Sequence, residues 1–283
     1  MIRSLFLYSL RLIGMQNWVR WGLRLKFFKL IASKNYVFEV PFFGFTYKGN
    51  LNSYVDRRVF FWGAHEQEVM LFMGSLITPG SVVFDIGANV GNHSLYFASK
   101  GASVYSFEPN PEVASSLEEK VIHNNIKNIF LQKVGLGVKN EELTFYAPTG
   151  DNKGVGSFIE DFSHVNKDIG KIQIKNGDSF VREQNIATVD FIKIDSEGSE
   201  YTILAGLKDT LLRYKPRIVI EYLQRDKEDI LQFLQNHPEY MAFSIEGNFN
   251  RFVFFNQPAC KILPFDPDTK RTEVLLVAKG IAV

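Results

Sequence analysis

The sequence predicts an α/β fold, a mainly parallel sheet with helices on both faces and late antiparallel edge strands. Three observations carry this. Short apolar runs recur at Val82–Asp85, Ser103–Glu108, Ile129–Lys133, Leu143–Tyr146, Phe191–Asp195 and Arg217–Glu221. Helical stretches at Gly91–Lys100, Pro111–Asn125 and Glu200–Arg213 separate several of them, the alternation of a parallel sheet with helical crossovers. After Glu221 come one more helix, Lys227–His237, and three late strands, Tyr240–Glu246, Arg251–Phe255 and Glu273–Ala278, which suit antiparallel additions to a parallel sheet.

Upstream, residues 36–62 carry aromatic and β-branched runs about the turn signal Lys48-Gly49-Asn50 and read as a hairpin or two short strands. His65–Ile77 reads as a helix stopped by Pro79-Gly80. The expected division is therefore a basic, aromatic N-terminal extension with short strands, 1–64, and an α/β domain, 65–283. Gly150–Ser157 is the most loop-like stretch and suits a mobile lid or substrate loop.

With 283 residues, 46% hydrophobic and 22% charged, the chain has the composition of an ordinary globular protein with a large core. A net charge of +1 gives no reason to expect nucleic acid, which calls for a strongly basic domain or stripe. Yet Arg3, Arg11, Arg20, Arg24, Lys26, Lys29 and Lys34 all precede the first acid, Glu39. Arg11 interrupts the apolar start and no small-residue cleavage site follows, so a signal peptide is not expected. The arginine spacing also forbids a spanning helix of about 20 apolar residues. Two readings of residues 1–34 stay open: a helical extension packed on the catalytic domain, or peripheral membrane contact through Trp18, Trp21, Phe27 and Phe28 among cations. The lone Cys260 forms no internal disulfide and no multi-thiolate metal site, which fits the cytoplasm.

Asp85 ends a strand, and Gly87 and Gly91 follow in a turn that opens a helix. Ligands of open α/β sheets bind beyond strand ends, where glycines let the backbone come close. The spacing G-x-x-x-G after an aspartate differs from the G-x-G-x-x-G of dinucleotide sites. It suits an amino-acid moiety better than a pyrophosphate: Asp85 attracts an ammonium directly or through water, and the backbone from Gly87 through Ala88 to Asn89 receives a carboxylate. Glu108, followed by Pro109, lies roughly 20 residues on, where an acid reaches ribose hydroxyls. Gly91 and Asn92 complete the expected cofactor set.

These residues resemble the FkbM family of methyltransferases over roughly residues 65–225. The likeness runs from Val83-Phe84-Asp85-Ile86-Gly87-Ala88-Asn89-Val90-Gly91 through Phe107-Glu108-Pro109 to Val189-Asp190-Phe191-Ile192-Lys193-Ile194-Asp195-Ser196-Glu197-Gly198-Ser199-Glu200. The resemblance implies a Rossmann-like fold, S-adenosylmethionine as cofactor, and methyl transfer to a hydroxyl oxygen, often on a sugar or natural product. It also implies Asp178 as the acid preceding the last motif; Ser196 stands where a valine is more usual.

Asp195 and Glu197 are the candidates to orient or deprotonate an acceptor hydroxyl, with helix capping as the competing role. Capping is the stronger reading for Glu200. Asp178, Asp195 and Glu197 could instead hold Mg²⁺, but nothing in their spacing demands it, and no metal is expected. His65, His93, His123, His164 and His237 show no paired metal spacing; His93 is a cofactor-side candidate and His164 an acceptor-side base. The competing functions are N-methylation of a small molecule, and a membrane-surface scaffold with a methyltransferase-like fold. The expected partner is a small-molecule or glycan acceptor.

Overall fold

Residues 36–148, 166–196, 198–247 and 260–282 are described by the computed structural model. Residues 1–34, the loop 150–157, His164, Glu197 and the strand expected at 251–255 lie outside them. Among the described residues no helix is long and apolar enough to cross a membrane.

The chain opens with a hairpin, β1 (Val37–Phe42) and β2 (Phe45–Asn50). Its turn is Phe43-Gly44, both at positive φ, and not the expected Lys48-Gly49-Asn50, which belongs to β2 and its end. A β-carbon on Gly49 would lie 2.6 Å from the Phe38 ring, so that glycine serves packing between the two strands. The next run, with Phe60, Phe61 and Trp62, forms helix α1 (Tyr54–Trp62) rather than a strand. Ser53 caps it by accepting from the Asp56 amide, and Gly63 closes it in the left-handed region. Asp56 is buried and accepts from the Tyr47 hydroxyl at 2.7 Å, tying α1 to the hairpin.

α2 (Gln67–Ser75) leads to β3 (Val82–Ile86), α3 (Asn92–Ser99), β4 (Ser103–Phe107), α4 (Pro111–His123) and β5 (Ile129–Gln132). Then come β6 (Gly135–Gly137), β7 (Glu141–Pro148), β8 (Asn166–Asn176), α5 (Gly177–Glu183) and β9 (Phe191–Ile194). The chain continues through α6 (Glu200–Gly206), α7 (Lys208–Tyr214), β10 (Arg217–Leu223), α8 (Lys227–Asn236), β11 (Tyr240–Gly247), β12 (Cys260–Pro264) and β13 (Arg271–Ala278).

The main sheet has the order β12-β11-β13-β10-β9-β3-β4-β5. Its five strands from β10 to β5 are parallel, while β13 runs antiparallel to both β10 and β11. The late strands are antiparallel as expected, but β13 enters the interior of the sheet, and only β12 occupies the edge. From β3 the chain builds outward to β5, then returns to β9 on the other side of β3. That reversal makes a topological switch point, where open sheets bind ligands. A separate sheet, β6-β8-β7, holds the strand expected at Leu143–Tyr146.

Period-two alternation divides each central strand between two cores. Val83, Val104, Phe191, Val219 and Leu275 face the hairpin and helices α1 to α4, whereas Phe84, Ile86, Ile192, Ile194, Ile218 and Ile220 face α5 to α8. The first core includes Phe38, Tyr47 and Phe60. Packing therefore shows no boundary between residues 64 and 65, where the extension was expected to end. Asn124 reinforces the joint, accepting from the Thr46 amide at 2.7 Å and donating to its carbonyl at 2.8 Å.

The single helix expected at Glu200–Arg213 is broken into α6 and α7 at Leu207. Gly206 presses on β6, where an added β-carbon would lie 2.0 Å from the Gly137 carbonyl oxygen. Beyond the break, the Asp178 carboxylate takes the freed amides of Asp209 and Thr210, each at 2.9 Å, and the Thr210 hydroxyl at 2.7 Å.

Candidate active site

The carboxyl ends of β3, β4, β9 and β10 open into a cavity of about 790 Å³, in the upper part of the range for small-molecule sites. The turn after β3 supplies Gly87, Ala88 and Asn89, and the end of β4 supplies Glu108, Pro109 and Asn110. Asn92, His93, Lys193, Asp195 and Ser196 also line it.

Gly87 has φ 79°, and a β-carbon there would lie 1.8 Å from the Asp195 carbonyl oxygen. Gly91, at φ 92°, opens α3 and faces Leu117, whose Cδ1 would be 2.4 Å from an added β-carbon. Both glycines thus answer first to packing against the chain itself, and Gly91 is not in the cavity wall. Gly87 does line the cavity, so the expectation that both glycines border it is corrected at Gly91 alone.

Glu108 is 6% exposed, with each oxygen held by a backbone amide at 2.9 Å: Oε2 accepts from Asn89 and Oε1 from Asn110. Burial pushes its carboxyl up to about 7, against the pull of those two amides and Lys193. Each oxygen keeps a second lone pair, so the carboxylate is oriented and still able to accept two hydroxyls.

Asp85 is fully buried and absent from the cavity wall, beneath rather than beside any cofactor. Its Oδ2 accepts from the Ser94 hydroxyl, which in turn accepts from Ser106 at 2.8 Å. Its Oδ1 has no hydrogen-bond partner among the described residues, and the Lys193 ammonium lies 3.9 Å away. Burial raises the Asp85 carboxyl, opposed by Lys193 and by the Ser94 hydroxyl. Asn92 lines the cavity, but its amide clasps the loop before α2: Oδ1 accepts from the His65 amide at 3.0 Å and Nδ2 donates to the His65 carbonyl at 3.1 Å.

Lys193 is the residue that sequence reasoning missed. It is 5% exposed, and its ammonium donates to Asp195 Oδ2 at 3.1 Å. Burial works against its charge, but Asp195, Asp85 and Glu66 outweigh that and hold the ammonium above its usual range. The available signal was a charged residue inside the otherwise apolar run Phe191–Ile194. The same face of the sheet also brings Glu221 and Glu273 into the wall, and Arg58 reaches it stacked 5.0 Å over the Trp62 ring.

Of the three expected catalytic acids, the two that are described separate. Asp195 lines the cavity and is fixed by Lys193. Glu197 lies outside the described residues. Asp178 is not in the wall; its carboxylate caps α7. We expect Asp178→Ala to lower stability by about 2–4 kcal/mol, for the loss of a cap and hydrogen bonds to a charged group. Thermal melting reads this, with cofactor affinity at low temperature unchanged. Glu200 organises the loop after β9, accepting from the Ser196 amide at 2.9 Å and the Gly198 amide at 3.0 Å. It braces that loop rather than capping the helix, whose N-cap Ser199 makes no side-chain capping hydrogen bond.

The donor set fits S-adenosylmethionine: a buried carboxylate for a diol, an apolar group of Leu136, Phe145 and Ile203 for a purine, and a polar end with Lys193 and Asp195. Among the described residues no group of three or more His, Cys, Asp or Glu could hold a metal ion.

Comparison with known proteins agrees. The chain is 26% identical over 172 residues to the hexuronic acid methyltransferase AglP of Haloferax volcanii, covering 60% of this chain and 67% of that one. It is 26% identical over 163 residues to the 2-O-methyltransferase NoeI of Sinorhizobium fredii, covering 53% and 65%. A stretch of 217 residues aligns at 26% identity with the AMB antimetabolite synthetase AmbE of Pseudomonas aeruginosa, covering 64% of this chain and 10% of that protein. The chain thus spans about two thirds of AglP and NoeI and a tenth of AmbE. The crystal structure of methyltransferase FkbM from Methylobacillus flagellatus KT aligns with a TM-score of 0.45 and 18% identity over 70% of this chain and 43% of that one. The model of the methyltransferase FkbM domain matches residues 85–242, more than half of the chain, which therefore belongs to the FkbM family of S-adenosylmethionine-dependent methyltransferases.

Proposed function

We propose that the chain methylates a hydroxyl oxygen of a sugar, glycan or other hydroxylated small molecule, with the cofactor held by Gly87, Ala88, Asn89, Glu108 and Pro109 and the acceptor oriented at Asp195. The observation that carries this is the placement of the buried Glu108 carboxylate in one cavity with Asp195, fixed from opposite sides of β3. AglP, a hexuronic acid methyltransferase, and NoeI, a 2-O-methyltransferase, are relatives whose names point to sugar-like and oxygen acceptors.

S-adenosylmethionine supplies a methyl group on a sulfonium, already activated for attack. The chain's task is then mainly placement. Glu108 accepts the ribose hydroxyls on its second lone pairs. Asn89, held at φ 52° with its amide on Glu108, keeps the turn and the carboxylate in one rigid unit. Lys193 holds Asp195 against the cavity, where its carboxylate can accept the proton of an acceptor hydroxyl within hydrogen-bond reach. Asp85 acts from below, as counter-charge to Lys193.

The test uses trideuteromethyl-labelled cofactor with a panel of neutral sugars, amino sugars, uronic acids and hydroxylated natural products, read by mass spectrometry. A product carrying the label on oxygen is the expected result. Labelled product on nitrogen only would turn the assignment to N-methylation. No product from any acceptor, despite cofactor binding by calorimetry, counts against the whole acceptor class.

A further inference from the structure

Asp85, Lys193 and Ser106 form one row across the sheet, since the register sets Asp85 beside Ser106 on β4 and beside Lys193 on β9. Alternation turns all three toward the core under α1 to α4, because Val83, Val104 and Phe191, two residues earlier on the same strands, belong to it. Ser94 meets the row from α3, and Asp85, Ser94 and Ser106 are all fully buried. The Ser94 hydroxyl, itself accepting from Ser106, fixes Oδ2 of Asp85 and leaves Oδ1 toward Lys193.

That second oxygen has no hydrogen-bond partner among the described residues, and the ammonium stands 3.9 Å from it. The gap is about 1 Å longer than a charge-assisted hydrogen bond. A buried ion pair serving stability alone would close it, because an unmade hydrogen bond at a buried carboxylate is costly. Lys193 instead donates to Asp195 Oδ2 at 3.1 Å. The ammonium therefore stands between two carboxylates, one engaged and one open, on a flexible four-carbon stem. Of the two, only Asp195 can meet an acceptor: its side chain is 36% exposed and that of Asp85 0%. Glu66, at the start of α2, is the third carboxylate that keeps the ammonium charged, behind Asp195 and Asp85. His93 on α3, Glu108 after β4 and Glu273 on β13 all lie within its field.

We propose that Lys193 is a positioning residue with two stations: its ammonium rests on Asp195, and it moves onto Asp85 Oδ1 when Asp195 takes the acceptor's proton. This rests on Asp195 as the proton acceptor in the function proposed above. In that step the acceptor oxygen bonds the methyl carbon, the carbon–sulfur bond breaks with its electron pair staying on sulfur, and the hydroxyl proton passes to Asp195. Before it, Asp85 and Asp195 balance two cations, Lys193 and the sulfonium. After it, Asp85 and Lys193 remain as a pair. The charge sum of these groups is the same at both ends, so no ion has to cross a site sheltered from water. Withdrawal of the ammonium also removes the attraction that opposes protonation of Asp195. Its approach to Asp85 strengthens the attraction that opposes the cost of burying that carboxylate.

Asp195→Asn tests this, since the amide keeps the shape of the protonated acid and carries no charge. In a crystal structure of that variant, Lys193 Nζ should move from 3.9 Å to about 2.8 Å from Asp85 Oδ1. An ammonium that stays in place, or turns to any other group, would overturn the proposal. In solution, the ¹⁵N shift of Lys193 Nζ at neutral pH, assigned by its loss in Lys193→Met, tells ammonium from amine. The ammonium should persist in Asp195→Asn and give way to the amine in Asp85→Asn with Asp195→Asn, because a buried lysine without a carboxylate sheds its proton near or below neutral pH. An amine already in the single variant, or an ammonium kept in a folded double variant, would each count against Asp85 as the second station. If the double variant does not fold, the crystal structure decides alone. Neither readout needs an acceptor, so failure of the two stations is told apart from failure of the acceptor reading, which the labelled-methyl panel decides.

Discussion

Glu108→Ala is expected to weaken S-adenosylmethionine binding by on the order of 100-fold or more, since two hydrogen bonds to a charged acceptor contribute roughly 1.5–3 kcal/mol each. The Asn89 and Asn110 amides lose their partner at the same time, which loosens the turn. Glu108→Gln separates these contributions, because its one carbonyl oxygen can satisfy only one side.

The pH dependence is a stricter check. In the empty site the Glu108 carboxyl is pushed up to about 7 from an ordinary 4.5, so the fold favours its protonated form. A raised carboxyl contributes stability that is fully present at low pH and lost as pH rises through about 7. Ribose hydroxyls donate to the ionised form, so cofactor affinity should run the other way, improving as pH rises through the same value. Calorimetry from acid to mildly alkaline pH should show that slope in the wild type and a flatter profile in Glu108→Gln. An identical slope in both would assign the titration to another group.

The second large effect belongs to Gly87→Ala. Its β-carbon would lie 1.8 Å from the Asp195 carbonyl oxygen and 2.8 Å from the carbonyl carbon, both backbone atoms without room to yield. The φ of 79° adds conformational strain. We expect a loss above about 4 kcal/mol, in the range reserved for severe packing faults, seen as poor soluble yield or a strongly lowered Tm. Gly44→Ala is the control: its φ is 88°, but nothing lies within 4 Å of the added carbon. That variant should lose only about 1–2 kcal/mol, the cost of the backbone conformation alone. Equal losses at both positions would remove the argument from contact with Asp195.

The parallel strands were legible because buried strands read as mostly apolar runs between turn residues. Strand β8 was not: Lys171-Ile172-Gln173-Ile174-Lys175 alternates with polar residues and pairs in the small sheet, where one face is exposed. Helix α1 was hidden by its Val59–Trp62 segment, whose β-branched and aromatic residues suggest a strand until the Ser53 and Gly63 caps are weighed. The turn after β3 and Glu108, which line one cavity, were readable because their spacing is local. Asp178 was misplaced because the amides it serves lie in another helix, a partnership that no local pattern encodes. Glu221 and Glu273 escaped for the same reason, since only the register of β10 against β13 brings them together.

The position of β13 also bears on how the chain is made. It is the last described strand to leave the ribosome, yet it lies between β10 and β11, both made earlier. From Leu223 to Arg271 synthesis takes roughly 2–10 s at ordinary elongation rates. Through that interval the nascent β10 presents an unpaired edge carrying Ile218, Ile220 and Tyr222, all destined for burial. Pairing of β13 with its two partners both covers that edge and brings Glu273 into the cavity. Completion of the cavity wall therefore waits on the synthesis of β13, the strand that carries Glu273.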